Sequence, residues 1–181
     1  ALPILILVFA GLPRAAPMKS LYGIWNIRGR ERNEVMKGIE LSEKNVRLHV
    51  SARDWEEAVR IGGRILVENG TAKESYVEGI VNSIKEYGPY VVISKGFAIP
   101  HTRAEDGSLG IGFSLITLRE PVYFDPKDDP VEVMICFSAI DSQTHLDILK
   151  MIVTFVEKGY VEKIAKLDTI DELNALLQNE E

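Results

Sequence analysis

Two of the three histidines stand where an imidazole could accept and release a proton or a phosphoryl group. Histidine is the side chain best suited to that chemistry near neutral pH. His101 lies in the segment GFAIPHTR (96–103), where Pro100 stiffens the backbone. The segment has no apolar helical period that would bury the His101 ring in a helix face. Arg103 could offer a forked cation to the oxygens of a phosphate group. Taken alone, the segment also fits a surface histidine in a proline turn.

His145 falls in the first turn of a predicted helix over residues 143–157, with Ser142 as its expected N-cap. Unpaired backbone N–H groups and the positive end of the helix dipole favour an anion there, so a neutral imidazole could donate to a phosphate. An exposed residue without a task fits the same position. The third histidine, His49, is expected to point outward from a strand and is assigned no role.

Two other kinds of site are disfavoured. His101 and His145 could bind a metal ion with Asp141 or Asp147, but the sequence contains no HxH or HExxH spacing. Cys136 is the only cysteine, which excludes an internal disulfide and a multi-thiolate metal site. A serine hydrolase is disfavoured because no Gly-x-Ser-x-Gly motif occurs.

Length and composition favour one α/β domain with an extension, since the chain has 181 residues and 46% apolar content. The net charge of −6 is uneven: residues 1–35 carry five basic and two acidic residues, and the rest carry 16 and 25. An acidic body without a basic run makes nucleic acid an unexpected partner. The single cysteine fits a reducing compartment.

The first 35 residues are expected to lie outside the fold. Residues 1–12 are almost wholly apolar but too short to cross a bilayer, and no positive charge precedes them as in a signal peptide. Residues 13–35 show no helical or strand period, whereas Met36 opens a strongly periodic body. We therefore expect an N-terminal extension over 1–35, either disordered or translated upstream sequence, and a folded domain over 36–181.

The pattern of the body predicts a mixed β-sheet flanked by helices on both faces. Period-two alternation predicts a strand with Val46, Leu48 and Val50 facing inward. A capping box at Thr169 predicts the start of the last helix. The other predicted elements are helices over 54–69 and 73–87, and buried strands over 91–93, 110–118 and 131–140.

The segment GFAIPHTR, followed after about 40 residues by DSQTHL (141–146), resembles the mannitol/fructose class of IIA components of the bacterial phosphoenolpyruvate-dependent sugar phosphotransferase system. The resemblance covers roughly 36–178. Within the class, the chain is most similar to the ascorbate-specific branch, through YGPY (87–90), His101-x-Arg103 and Asp141-x-x-Thr144-His145.

This resemblance implies that His101 is phosphorylated and that His145 hydrogen-bonds the phosphoryl group and orients the nucleophile. Mannitol-type members carry an arginine on the helix before the active loop, and the matching position here is Ser83. Arg103 is therefore expected to supply the positive charge that binds phosphate. No metal ion or cofactor is implied.

The resemblance also implies a phosphotransferase that takes phosphate from the histidine-containing phosphocarrier protein and passes it to a cysteine of a IIB component. Through IIB it would serve a membrane IIC permease for ascorbate or a related sugar. We expect a cytoplasmic protein that does not insert into the membrane, with an exposed site rimmed by Phe97 and Ile99. A nitrogen-type IIA regulator and a binding domain without catalysis are the alternatives.

Overall fold

The computed structural model describes residues 41–178, which form a five-stranded sheet with helices on both faces. The strand order is β1-β4-β5-β3-β2, in which β1 runs parallel to β4 and β3 runs parallel to β5, while the β4–β5 and β2–β3 pairs are antiparallel. This confirms the predicted mixed sheet. The proposed extension over 1–35 lies outside the described residues. The strands are β1 (Val46–Val50), β2 (Val92–Ser94), β3 (Gly96–Ala98), β4 (Gly112–Val122) and β5 (Val131–Ser138).

Two helices precede β2 and three follow β5, and most lie where the apolar periodicity predicts them. At the start of the first, the Asp54 side chain accepts a hydrogen bond from Glu57 N at 2.9 Å. The predicted capping box of the last is present, because Thr169 N donates to Glu172 Oε2 (3.0 Å) and Glu172 N donates to Thr169 Oγ1 (3.2 Å). The helices are α1 (Trp55–Glu68), α2 (Glu74–Tyr87), α3 (Ser142–Glu157), α4 (Tyr160–Ile164) and α5 (Ile170–Gln178).

The central strands are buried on both faces. Met134 and Cys136 of β5 belong to the apolar cluster that includes α1 and α2 residues. Ile135 and Phe137 alternate with them, so they point to the opposite face, and they are equally buried. Helix α1 approaches β5 closely, since a Cβ added to Gly62 would lie 2.6 Å from the Cys136 sulfur. Both faces of β5 are therefore closed, and its C-terminal end points toward α3.

The predicted inward alternation of β1 is wrong beyond Arg47. Arg47 pairs with Ile116 and Val50 pairs with Leu118, so β1 contains one more residue than β4 between these pairs. This bulge includes His49, whose φ is +53° and whose N–H donates to Thr117 Oγ1 at 2.8 Å. The extra residue changes the face on which the following side chains lie. Val46 and Val50 therefore do not share the single inward face that strict alternation predicts.

The segment around residue 96 is more regular than its sequence predicts. Gly96–Ala98 form β3 beside β5, and three residues are too few for an apolar period to reveal. Gly96 has a φ of +77°, which glycine adopts readily, and the chain turns there from β2 into β3. Ile99 N then donates to Val91 O at 2.8 Å, and Phe137 N donates to Pro100 O at 3.4 Å. The chain thus follows β5 up to the residue before His101.

Candidate functional site

His101 and His145 meet at the C-terminal end of β5. Their ring centroids are 5.0 Å apart, and the ring planes make an angle of 63°. Phe137 contacts both imidazoles, stacking on His101 with centroids 4.7 Å apart and lying 5.3 Å from the His145 centroid. The two histidines that the sequence singles out are 44 positions apart in the chain. In the fold their rings are neighbours, and both contact Phe137.

One hydrogen bond determines which nitrogen of His101 is available for chemistry. Nδ1 lies 2.7 Å from the backbone carbonyl oxygen of Ile99. A carbonyl only accepts, so Nδ1 carries the proton in the neutral ring. Nε2 then holds an unshared electron pair and can act as a nucleophile. The donor lies two positions after its acceptor in the chain, and the stiff Ile99-Pro100 segment supplies that geometry.

Burial keeps both imidazoles neutral. It lowers the pKa of His101 to about 4, and the nearby His145 adds to this lowering, whereas the hydrogen bond to Ile99 opposes it. Burial also lowers the pKa of His145. Both rings are therefore uncharged at neutral pH, where an imidazole is a nucleophile at one nitrogen and a hydrogen-bond donor at the other.

The start of α3 differs from the sequence prediction. Asp141, rather than Ser142, is the N-cap: its Oδ1 accepts a hydrogen bond from Thr144 N at 2.7 Å. That bond is the main cause of the lowered pKa of the Asp141 carboxyl. The His145 N–H also has a partner, since it donates to Asp141 O at 3.1 Å. The His145 side chain, rather than its backbone N–H, is thus the group here that can bind an added anion.

Arg103 is not brought into contact with the imidazole pair. Its side chain is exposed and forms no ion pair or hydrogen bond with any residue in the range 41–178. Ser83, which the resemblance matches to an arginine of mannitol-type members, has its Oγ 3.5 Å from Thr102 Oγ1. The positive charge expected beside the phosphate therefore has one candidate in the loop, the exposed side chain of Arg103.

The family model for the EIIA 2 component of the phosphoenolpyruvate-dependent sugar phosphotransferase system matches residues 40–180. The chain belongs to this family. It is 36% identical over 146 residues to the ascorbate-specific EIIA component of Salmonella choleraesuis (strain SC-B67), covering 75% of this chain and 95% of that protein. These matches confirm the resemblance stated from the motifs. A role in phosphoryl transfer within a sugar phosphotransferase system follows.

Two solved structures are similar to this EIIA domain. The mannitol-specific cryptic phosphotransferase enzyme IIA CmtB from Escherichia coli matches with a TM-score of 0.70 and 26% identity, over 82% of this chain and 99% of that chain. Enzyme IIA mannitol from the same organism, determined in complex with phosphorylated enzyme IIB mannitol, matches with a TM-score of 0.68 and 24% identity. That match covers 78% of this chain and 99% of the other, and it supports the fold alone.

The EIIA site is less exposed than the sequence predicts. Phe97 and Ile99, expected at its rim, are 0% and 5% exposed because β3 and the residue that follows it lie in the core, and His101 is 9% exposed. The residues that precede His145, at 140–143, are all exposed. The imidazole pair therefore lies beside exposed residues at the start of α3.

Three aromatic residues of the site have no predicted role. Phe137 lies in a predicted buried strand, where nothing distinguishes it from its neighbours. Tyr90 donates from its hydroxyl to His101 O at 3.0 Å. Tyr76 donates to Phe137 O at 2.8 Å. A tyrosine in the apolar stripe of a helix could have indicated this bond, because a buried phenol needs a hydrogen-bond partner.

Neither a metal centre nor a membrane span is found in the part of the EIIA domain that the structure describes. Residues 41–178 contain no group of three His, Cys, Asp or Glu side chains placed to bind a metal ion. No helix within that range is long and apolar enough to cross a bilayer.

We predict that His101 makes the EIIA domain sensitive to mild acid. Its pKa is about 4 in the folded state and about 6.5 in the unfolded chain, so the unfolded chain binds more protons between these pH values. Stability is thus lost as the pH falls from 6.5 to 4, by about 3 kcal/mol from this residue alone. Urea unfolding of the unaltered protein and of His101→Ala, at pH 7 and pH 4, measures the difference.

The free energies of unfolding of the unaltered protein and of His101→Ala should converge as the pH falls. The reason is that the unaltered protein loses about 3 kcal/mol more than the variant between pH 7 and pH 4. His49→Asn is the control, since His49 is partly exposed beside Asp168 and asparagine tolerates the positive φ at this position. Parallel pH curves for the unaltered protein and His101→Ala would contradict the prediction.

Proposed function

We propose that this EIIA protein carries a phosphoryl group on Nε2 of His101. It accepts the group from the histidine-containing phosphocarrier protein and passes it to a cysteine of a IIB component. The transfer serves a IIC permease that takes up ascorbate or a related sugar. His145 stabilises the phosphoryl group during both steps, and Arg103 binds its oxygens on the exposed side.

The hydrogen bond from His101 Nδ1 to Ile99 O carries this proposal. It assigns the proton to Nδ1 and leaves the Nε2 electron pair available, beside a second neutral imidazole whose centroid is 5.0 Å away. A low pKa also keeps His101 unprotonated at any pH at which the cell works. These three features together describe a nucleophile that needs no general base.

The two transfers balance without a metal ion or an added proton. In the first, Nε2 of His101 attacks phosphorus and the bond to the carrier's histidine nitrogen breaks. The Nδ1 proton stays in its bond to Ile99 O, so phospho-His101 is an imidazolium ring bearing a phosphoryl dianion. In the second, a IIB thiolate attacks phosphorus, the N–P bond breaks and neutral His101 leaves. The transition states are loose, so alignment and charge stabilisation supply most of the rate.

The relatives support the choice of sugar and partner. The alignment with the ascorbate-specific EIIA component extends over 95% of that protein, so the likeness is not confined to the active loop. Enzyme IIA mannitol, which shares the fold, was determined with phosphorylated IIB mannitol. A cysteine nucleophile in IIB is also compatible with a phosphohistidine donor, because thiolates and imidazoles both act as nucleophiles that form covalent intermediates.

Reconstituted phosphoryl transfer tests the function. The protein is incubated with the general enzyme of the system, the phosphocarrier and labelled phosphoenolpyruvate. We expect a label that is labile to acid and stable to alkali, as for a phosphohistidine, and that is discharged by an ascorbate-type IIB protein. A IIB variant lacking its cysteine should leave the label in place. A chain that is labelled but discharges to no IIB would indicate a nitrogen-type regulator, and a chain that is never labelled would exclude a carrier.

A further inference from the structure

We propose that Tyr76 is a positioning residue, whose buried hydroxyl is inserted into the β3–β5 ladder and holds His101 opposite Phe137. The inference rests on the proposed function, because it concerns the placement of the same nucleophile. It assigns a task to a residue that touches neither the phosphoryl group nor a partner. Tyr76 is 1% exposed, so any effect on transfer must pass through the groups that its hydroxyl contacts.

The register of the sheet places His101 opposite Phe137. Ala98 pairs with Met134 in the parallel β3–β5 ladder, and three further residues on each strand give His101 and Phe137. In a parallel pair, one residue donates its N–H to the residue before its partner and accepts, through its carbonyl, from the residue after it. Phe137 N donates to Pro100 O at 3.4 Å, which is the first of these two bonds.

The second bond is made through Tyr76. Thr102 N donates to Tyr76 Oη at 3.3 Å, and Tyr76 Oη donates to Phe137 O at 2.8 Å. The hydroxyl also lies 3.2 Å from Thr102 O, but its single proton satisfies the closer carbonyl. The Tyr76 hydroxyl thus occupies the place of a direct hydrogen bond from Thr102 N to Phe137 O, which would continue the β3–β5 ladder. Two bonds in series hold the strands farther apart than one, at the residue that follows His101.

This arrangement determines how the His101 ring meets Phe137. The residues on both sides of His101 are tied to Phe137, directly at Pro100 and through Tyr76 at Thr102. The ring stacks on the Phe137 ring at 4.7 Å, so a shift of the loop would move Nε2 relative to its partner. Burial raises the pKa of the Tyr76 phenol, which therefore remains a donor at every pH of interest.

Neighbouring groups hold the rest of the loop but do not replace this link. Tyr90 donates to His101 O at 3.0 Å, and Thr102 Oγ1 donates to Asp106 Oδ2 at 2.5 Å. Both bonds act on groups other than the Thr102 N–H. Loss of the Tyr76 hydroxyl would leave that N–H and the Phe137 carbonyl without a partner, or force the strands together to bond directly.

Tyr76→Phe tests the inference, since it removes the hydroxyl and little else. We expect kcat for phosphoryl transfer from the carrier to fall about 10-fold to 100-fold, because a small misplacement of a reacting atom costs that much. KM for the carrier should stay within about twofold, since the buried residue cannot touch a partner. The NMR titration of His101 in the unphosphorylated protein should move from about 4 toward 6.5 as the ring loosens.

Tyr160→Phe is the matched control, because Tyr160 is also buried (4% exposed) but lies in α4, where its ring contacts Phe155. It should leave both kcat and the His101 titration unchanged, whatever it does to the melting temperature. A folded Tyr76→Phe protein with an unaltered His101 titration would overturn the inference, even if the protein proved not to be a carrier. Should that variant not fold, hydrogen exchange in the unaltered protein decides: a Thr102 amide without protection would overturn the inference.

Discussion

Replacement of His101 by alanine is expected to abolish phosphorylation of the protein. No other group described in the structure combines a free ring nitrogen, a fixed tautomer and a second imidazole within 5.0 Å between centroids. Removal of the nucleophile leaves no acceptor for the phosphoryl group, so labelling from phosphoenolpyruvate should fall to the background of the assay. Gel autoradiography of the reconstituted system measures it.

The variants at the other histidines make this result specific. His49→Asn should be labelled as fast as the unaltered protein, because His49 lies in β1 and bonds Asp168 rather than the site. Circular dichroism and the melting temperature of His101→Ala show whether the fold persists, which matters because the ring stacks on Phe137. Undiminished labelling of a folded His101→Ala protein would assign the phosphoryl group to another residue.

Replacement of His145 by alanine is expected to slow transfer without preventing it. The His145 ring is neutral, because burial lowers its pKa, and it can donate one hydrogen bond to the phosphoryl group on His101. Removal of one such donor typically costs about 10²-fold to 10³-fold in kcat. Rapid-quench measurements of single-turnover transfer from the phosphorylated carrier should show this loss, while the final extent of labelling stays much less affected.

His145→Gln separates hydrogen bonding from packing at the same position. Glutamine retains a donor but not the ring that contacts Phe137, so it should recover part of the rate that alanine loses. Stabilities of the two variants can be compared by urea unfolding, since both remove the same aromatic contact. Transfer by His145→Ala at the unaltered rate would remove His145 from the mechanism.

The elements that could be predicted from the sequence are those with long apolar periods. The stripes of α1 and α2 extend over 14 residues each, enough for the pattern to exceed chance, and their boundaries differ from the prediction by at most one residue. The bulge at His49 could not be predicted, because strict alternation and a one-residue insertion look the same until the partner strand is known. β3 and α4 are too short to show a period.

At the site, the sequence identifies individual residues but not the contacts between them. His101 and His145 could be singled out by their settings and motifs, but the bond from Nδ1 to Ile99 O could not, because it depends on the turn of three consecutive residues. The burial of Phe97 and Ile99 follows from the pairing of β3 with β5, which joins segments about 35 positions apart. The link through Tyr76 likewise requires α2, β5 and the loop together.

The close approach of α1 at Gly62 has a practical consequence for the thiol chemistry of the assembled system. Cys136 is adjacent to Phe137 in β5 but points to the opposite face, where the helix backbone covers it completely. Burial raises the pKa of its thiol to about 12. The Cys136 thiol is therefore neither ionised nor reachable, so in the proposed transfer it cannot compete with a cysteine of IIB for the phosphoryl group. Alkylating reagents added to a mixture of this protein and IIB should modify the cysteine of IIB and leave Cys136 unmodified.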